Sequence, residues 1–164
     1  MRLRLIIIAA AILAATAASA TEPLDSARRL TAANRYAESL ALLRTITPSE
    51  GTRESIETKE LIGDNYYSLG IYNRAAELYN EAVAEARANG FEELTADNLN
   101  ALFRVYYMNS ETERAADLLE SAAEIYRRLG VRHKQRNVLN NMALVTSPAA
   151  TSTQRSNFCS KPSR

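Results

Sequence analysis

The chain has 164 residues and a formal net charge of +1, with a single cysteine, Cys159, and a single histidine, His133. One cysteine excludes a framework of intrachain disulfides, and one isolated histidine excludes a zinc site of the Cys/His type. Between Thr21 and Gly130 there are 12 basic and 19 acidic residues, a balance of −7, whereas Val131 to Arg164 carries six basic residues and no acidic one. Because those six charges are scattered and form no dense basic stripe, we expect no nucleic-acid binding.

The first twenty residues have the three parts of a secretory signal peptide. Arg2 and Arg4 form a basic start, residues 5–18 are a run of apolar and small residues (LIIIAAAILAATAA), and small side chains end at Ala20. A membrane anchor needs about 20 apolar residues, and this run is shorter. We therefore predict cleavage near Ala20 and export of residues 21–164 to the periplasm or the medium. The remaining chain has no apolar run long enough to span a membrane.

Apolar residues at three- and four-residue steps indicate helices along most of the exported chain. The segment of about residues 22–50 carries a weak version of this pattern, at Ala27, Leu30, Tyr36, Ser39, Leu43 and Ile46. The segment of about 56–90 carries the strongest version, in LIGDNYYSLGIYNRAAELYNEA from Leu61 to Ala82. Small residues, aromatics and a Leu-Gly-x-Tyr turn recur there, at Gly63, Tyr66, Gly70, Tyr72, Ala75, Tyr79 and Ala82.

This pattern resembles the tetratricopeptide repeat (TPR) family. The resemblance implies a hairpin of two helices in which those seven residues pack the helices and the turn. Gly70 is placed to end the first helix in a left-handed conformation, and Gly90 and Gly130 are placed to end second helices likewise.

The segment of about 96–130 repeats the template forty residues later. Its matching packing residues are Tyr106, Ala115 and Ala122, with Leu119 at the place of Tyr79. Phe103 replaces the small residue, and Ser110 with Thr112 replaces the glycine turn, so we expect a wider helix crossing and a less well-defined turn.

A partial fourth copy covers 132–145 and does not continue. We expect it to expose apolar surface around Leu139, Met142 and Leu144, through which the chain could self-associate. The polar, basic tail 146–164 has one large apolar side chain, so we expect disorder. Two explanations stay open: a flexible adhesive tail, or a repeat array cut short by truncation or a frameshift.

The predicted fold class is all-α: an α-α superhelix (solenoid) of stacked TPR hairpins. Each helix has an apolar stripe too broad for one hairpin to bury, and stacking of successive hairpins buries it. The sequence shows no motif that pairs a nucleophile with a base, no phosphate-binding loop and no metal-ligand cluster. We therefore expect no enzymatic activity, no cofactor and no metal.

The resemblance also implies a concave groove lined by the first helix of each hairpin. Carried over position by position, it predicts partner-binding residues at Glu60, Asp64, Tyr67, Asn100, Arg104, Tyr107 and Asn140, with Glu57, Ser68, Asp97, Met108 and Asn137 beside them. In the tyrosine pairs 66/67 and 106/107, the template assigns Tyr66 and Tyr106 to the core. Asparagine amides can bond an extended backbone, and Arg104 can hold a ligand carboxylate.

The sequence thus favours a protein- or peptide-binding scaffold or sensor of the bacterial cell envelope. An alternative is the sensor fragment of a membrane signalling enzyme, such as a diguanylate cyclase or histidine kinase. A third is a structural partner in envelope assembly.

Overall fold

The computed structural model describes residues 23–146, all of whose regular elements are helices. The predicted signal peptide, most of the tail and Cys159 lie outside the described residues. The helices are α1 (23–32), α2 (Tyr36–Leu43), α3 (Arg53–Ser68), α4 (Tyr72–Ala88), α5 (Glu92–Met108), α6 (Thr112–Leu129) and α7 (Arg132–Thr146). The predicted all-α class is confirmed. None of the helices in this part of the chain is both long enough and apolar enough to cross a bilayer.

The chain divides into two compact units, residues 1–47 and residues 48–164. In the first unit, α1 and α2 are joined by a short turn in which Asn34 has a φ of 59°. Ala27 and Leu43 are buried there, with 0% and 1% of their surface exposed. The hydroxyl of Ser39 donates to the carbonyl oxygen of Ala27 at 3.0 Å, which ties α2 to α1.

In the second unit, each helix from α3 to α7 packs on the next one along the chain, and α3 also contacts α5. Helices α3 and α4 cover the segment with the strongest repeat pattern, and α5 and α6 cover its copy. Their core contains both small and large side chains. Four alanines have no exposed surface, Ala75, Ala82, Ala115 and Ala122. Small residues at these places let the helix backbones approach closely.

The turns of this unit share one backbone geometry. Residues 70, 90, 110 and 130 have φ between 66° and 75°, which is the left-handed region. At the first of them, the N–H of Gly70 donates to the carbonyl of Tyr67 at 2.9 Å and the N–H of Ile71 donates to that of Tyr66 at 2.8 Å. This is the hydrogen-bond pair of a Schellman motif, which satisfies the last carbonyls of a helix. The left-handed ends predicted at the three glycines are confirmed.

The turn at Ser110 corrects an expectation. Ser110 has a φ of 66°, and its N–H donates to the carbonyl of Tyr107 at 3.1 Å, while the N–H of Glu111 donates to that of Tyr106 at 2.9 Å. The expectation of a less well-defined turn was wrong, because the hydrogen bonds that close the turn come from the backbone. A serine can make the same bonds at the cost of entering a region that glycine enters freely.

The two complete hairpins of this unit differ at one pair of core positions. A Cβ added at Gly63 would lie 2.7 Å from Cε1 of Tyr79, so the tyrosine ring fills the space that a side chain would need. Forty residues later, Phe103 and Leu119 stand at the corresponding places, and both are fully buried. The first helix of the second hairpin thus carries an aromatic ring where that of the first hairpin has a glycine. The wider crossing expected from Phe103 stays a prediction.

Gly63→Ala tests this close contact. Alanine improves helix propensity by about 1 kcal/mol, but overpacking against a fixed ring costs about 1–3 kcal/mol, so we expect a net loss of up to about 2 kcal/mol. Urea unfolding measures this change in the free energy of unfolding. In a Tyr79→Leu background, where the ring is removed, Gly63→Ala is expected to be neutral or stabilising. An equal loss in both backgrounds would contradict the proposed contact.

Candidate functional site

Polar side chains from α3, α5 and α7 meet on one face of the second unit. Within each helix they are spaced three, four or seven residues apart, which places them on one stripe. We call this set the polar row, and it comprises Glu60 and Asp64 on α3, Asp97, Asn100 and Arg104 on α5, and Lys134 and Asn141 on α7.

The α3 end of the polar row is held by an ion pair. Nη2 of Arg104 lies 2.6 Å from Oδ1 of Asp64, and both side chains are about a quarter to a third exposed. The hydroxyl of Tyr79 on α4 donates to the same oxygen of Asp64 at 2.7 Å. The guanidinium of Arg104 also lies over the ring of Tyr67, 4.8 Å from its centroid. One carboxylate thus joins α3, α4 and α5.

Protonation states at this end are well defined. Burial, reinforced by the negative charge of Asp64, raises the pKa of Tyr79 well above its usual value, so the phenol keeps its proton and donates it. Burial by itself disfavours the charge on Arg104, but the attraction of Asp64 outweighs it and raises the pKa of the guanidinium. The guanidinium of Arg104 therefore stays charged at any ordinary pH.

A second arrangement of the same kind joins α5, α6 and α7. Nζ of Lys134 lies 2.8 Å from both carboxylate oxygens of Asp97 and 2.7 Å from Oε1 of Glu93. The hydroxyl of Tyr126 on α6 donates to Oδ1 of Asp97 at 2.6 Å. A carboxylate again accepts from a buried tyrosine of the next helix and a cation of the helix after that. Asn141 extends the row, with Nδ2 3.1 Å from Oδ1 of Asn100.

Glu60 lies between these two arrangements and is bound differently. It is half-buried, and its hydrogen-bond contact is with Nδ2 of Asn98, at 3.5 Å from Oε2. Burial, followed by repulsion from Asp64 and Asp97, raises its pKa to about 8. At neutral pH this carboxyl group is therefore largely protonated in the isolated chain.

The structure brings together Glu60, Asp64, Asn100 and Arg104 from the predicted groove residues. Asn140 is exposed, and its neighbour Asn141 makes the contact with α5 instead. The carboxylate that Arg104 contacts is Asp64 of the same chain, which weakens the expectation that it holds a ligand carboxylate.

The assignment within the tyrosine pairs is corrected. Tyr67 and Tyr107 are the buried members, 6% and 5% exposed, whereas Tyr66 and Tyr106 are partly buried at the edge of the core. Tyr67 lies beneath Arg104, and Tyr107 packs beside Phe103 with 6.0 Å between ring centroids. The burial of Tyr67 and Tyr107 therefore comes from the side chains packed against them.

Sequence reasoning missed the groups that complete the polar row. They are Lys134, Asn141 and the hydroxyls of Tyr79 and Tyr126. Lys134 and Asn141 share a helical stripe with the buried Val138 and Val145, at spacings of four, seven and eleven residues. This helical spacing is the sequence feature that identifies Lys134 and Asn141 as members of the row. The interpretation of α7 as an unfinished repeat left it out.

Two large apolar side chains of α7 are exposed, as expected. Leu139 and Leu144 are 49% and 40% exposed. A shallow cleft of about 550 Å³ lies between α6 and α7 and includes Leu139 and Met142 in its lining. Self-association through this surface stays a prediction.

Arg104→Gln tests the ion pair of the polar row. It leaves Asp64 half-buried beside a neutral amide, so we expect a loss of about 1–3 kcal/mol in the free energy of unfolding. Arg127→Gln is the matched control, because Arg127 pairs with Glu124 on the exposed surface of α6. Its removal is expected to leave urea unfolding unchanged. Equal losses in the free energy of unfolding for the two substitutions would show that the Arg104–Asp64 pair contributes no more to stability than an exposed pair.

A pH series tests the protonation of Glu60. The folded chain keeps the proton up to about pH 8, and the unfolded chain releases it near the ordinary value of 4.5. The folded state thus binds more protons in this window, so the contribution of Glu60 to stability is complete below about pH 4.5 and is lost as pH rises through 8. Glu60→Gln cannot titrate, so we expect its stability relative to the parent to rise by about 1–4 kcal/mol between pH 5 and pH 9. Parallel stability curves would contradict this.

Comparison with known proteins supports the fold alone. No protein-family profile matches the chain, and no curated protein sequence matches it. Among solved structures, it is similar to BtubC (BKLC) from P. vanneervenii, with a TM-score of 0.58 and 21% sequence identity. The likeness covers 87% of this chain and 68% of that one. The chain therefore shares an all-helical fold with that protein.

Proposed function

We propose that this chain is a non-enzymatic protein- or peptide-binding helical-repeat protein of the bacterial cell envelope. Its ligand lies across α3, α5 and α7, on the polar row. The observation that carries the proposal is that every second helix presents hydrogen-bonding side chains to the same face. The three alternate helices α3, α5 and α7 then form one continuous polar surface.

The chemistry of this face suits a polypeptide. Asn100 and Asn141 each carry an amide with both donor and acceptor groups, which match the N–H and C=O groups of an extended backbone. Asn137 and Asn140 are exposed nearby on α7. Because the row is held by ion pairs between helices, its side chains are positioned before a ligand arrives, and less entropy is lost on binding.

Three further features support a TPR-type solenoid. The residues at the turns and in the core recur at the repeat spacing, α3 contacts α5 across the intervening helix, and left-handed turns follow one another every twenty residues. The signal-like start of the chain favours export to the periplasm. The polar row itself consists of carboxylates, amides and cations, most of them bonded to one another.

Selection from a random peptide library on the exported chain tests the proposal. Asn137→Arg with Asn140→Arg places two long side chains beside the polar row, so we expect selected peptides to bind at least about tenfold more weakly. Asn80→Arg with Glu81→Arg on the exposed side of α4 is the matched control, and binding to it is expected to be unchanged. Absence of any enriched peptide, or equal binding to both variants, would overturn the proposed site.

A further inference from the structure

The polar row has three carboxyl groups, Glu60, Asp64 and Asp97, and two cations, Arg104 and Lys134, so carboxyl groups are in excess. Asp64 is paired with Arg104, and Lys134 contacts both Asp97 and Glu93. Glu60 is the carboxyl group of the row outside these pairs. Glu57, three residues before it on α3, pairs with Arg53 at 3.4 Å.

Glu60 is the centre of this excess. No residue between 23 and 146 forms an ion pair with it, and the amide of Asn98 at 3.5 Å is its hydrogen-bond contact. The nearby carboxylates of Asp64 and Asp97 repel its charge. A half-buried carboxylate in such a place is costly to ionise unless a cation joins it. The site is thus one positive charge short.

Asn98 provides an independent observation at the same place. Its side chain has no exposed surface and lies against Glu60. Nδ2 donates to the carbonyl of Leu94 at 2.9 Å, but Oδ1 is buried without a hydrogen-bond partner among the described residues. Buried side-chain acceptors are nearly always bonded, so an unbonded one indicates a missing donor. The place lacks both a positive charge and an N–H group.

We propose that Glu60 and Asn98 form a subsite for a basic side chain, a lysine ammonium or arginine guanidinium, of a bound polypeptide segment. This inference rests on the proposed polypeptide-binding function and names the chemistry of its ligand. Both groups combine a positive charge with several N–H donors and therefore supply what the site lacks. A donor seated on Glu60 would lie beside the amide of Asn98, whose Nδ2 is 3.5 Å from Oε2 of Glu60.

Charge complementarity favours an organic cation from a partner. Residues 23–146 contain no cluster of three or more His, Cys, Asp or Glu side chains arranged to hold a metal ion. In the flanking pairs, Arg104 is held by Asp64 and Lys134 by Asp97, so each of these cations already has its own carboxylate. The basic tail of the chain itself, with Arg155, Lys161 and Arg164, is the competing occupant.

Binding at this subsite is coupled to the proton on Glu60, because a cation prefers the ionised carboxylate. With a pKa of about 8 in the isolated chain, affinity for an arginine probe is expected to rise as pH increases through that value and to level off above it. Other charged or titratable groups around Glu60 are Glu57, Asp64, Tyr79, Asp97, Arg104 and Tyr126. Arg104 remains charged throughout this range, and the two phenols remain protonated.

The experiment follows the carboxyl carbon of Glu60 by NMR in the exported chain while a blocked peptide, Ac-Ala-Ala-Arg-Ala-Ala-NH2, is added. We expect the pKa of Glu60 to fall, and affinity to be at least about tenfold weaker for Glu60→Gln. The peptide with glutamine in place of arginine is expected not to bind. Glu81→Gln, which removes one exposed charge on α4, is the matched control and is expected to leave affinity unchanged.

Three results would overturn the inference. Equal affinity for the parent and Glu60→Gln would show that the cation, if bound, lies elsewhere. Binding seen only after Arg155, Lys161 and Arg164 are replaced by glutamine would assign the subsite to the chain's own tail. No binding of the arginine peptide, while library-selected peptides still bind the polar row, would remove the subsite and leave the proposed function standing. Failure of the library selection is the separate result that removes that function.

Discussion

The left-handed helix end is the constraint on which the rest of the second unit depends. At residues 70, 90, 110 and 130 the chain turns through one left-handed residue and starts the next helix. Because these ends are twenty residues apart, α4, α5 and α6 are nearly equal in length, and each turn returns the chain along the helix it has just left. A turn of different geometry would change the direction of the following helix and the face it presents. The backbone bonds at each turn are therefore what keeps α3, α5 and α7 on one side.

Between these turns, different pairs of side chains pack the core at corresponding places. Gly63 lies against the ring of Tyr79 in one hairpin, whereas Phe103 and Leu119 are both buried in the next. Interiors are packed as closely as organic crystals, so either member of a pair restricts the other. The same tyrosine that fills the space beside Gly63 also carries the hydroxyl that orients Asp64. Core packing and the polar row are thus linked through one side chain.

Electrostatics then gives the polar face its character. Two carboxylates, Asp64 and Asp97, are each held by a buried tyrosine hydroxyl and a cation, and these arrangements tie three helices apiece. Such links favour a rigid face, since each charged group has a fixed partner in a partly desolvated place. Glu60 stands between them without a cation, where burial and two like charges hold it in its neutral form. A rigid face with one unneutralised carboxyl group is the physical basis for the ligand chemistry proposed above.

The helices of this protein are largely a consequence of its sequence, because their signals are local. Apolar spacing, the glycines at 70, 90 and 130 and the lack of alternating runs are sufficient to predict the all-α class and the helix ends. The resemblance to the tetratricopeptide repeat, carried over position by position, implied that Glu60, Asp64 and Arg104 share one face. The pairing of Lys134 with Asp97, the contact of Asn141 with Asn100, the burial of Tyr67 and the isolation of Glu60 were decided by tertiary structure alone. Each of these depends on how far apart neighbouring helices lie and how they are rotated, which is set by packing between residues distant in sequence.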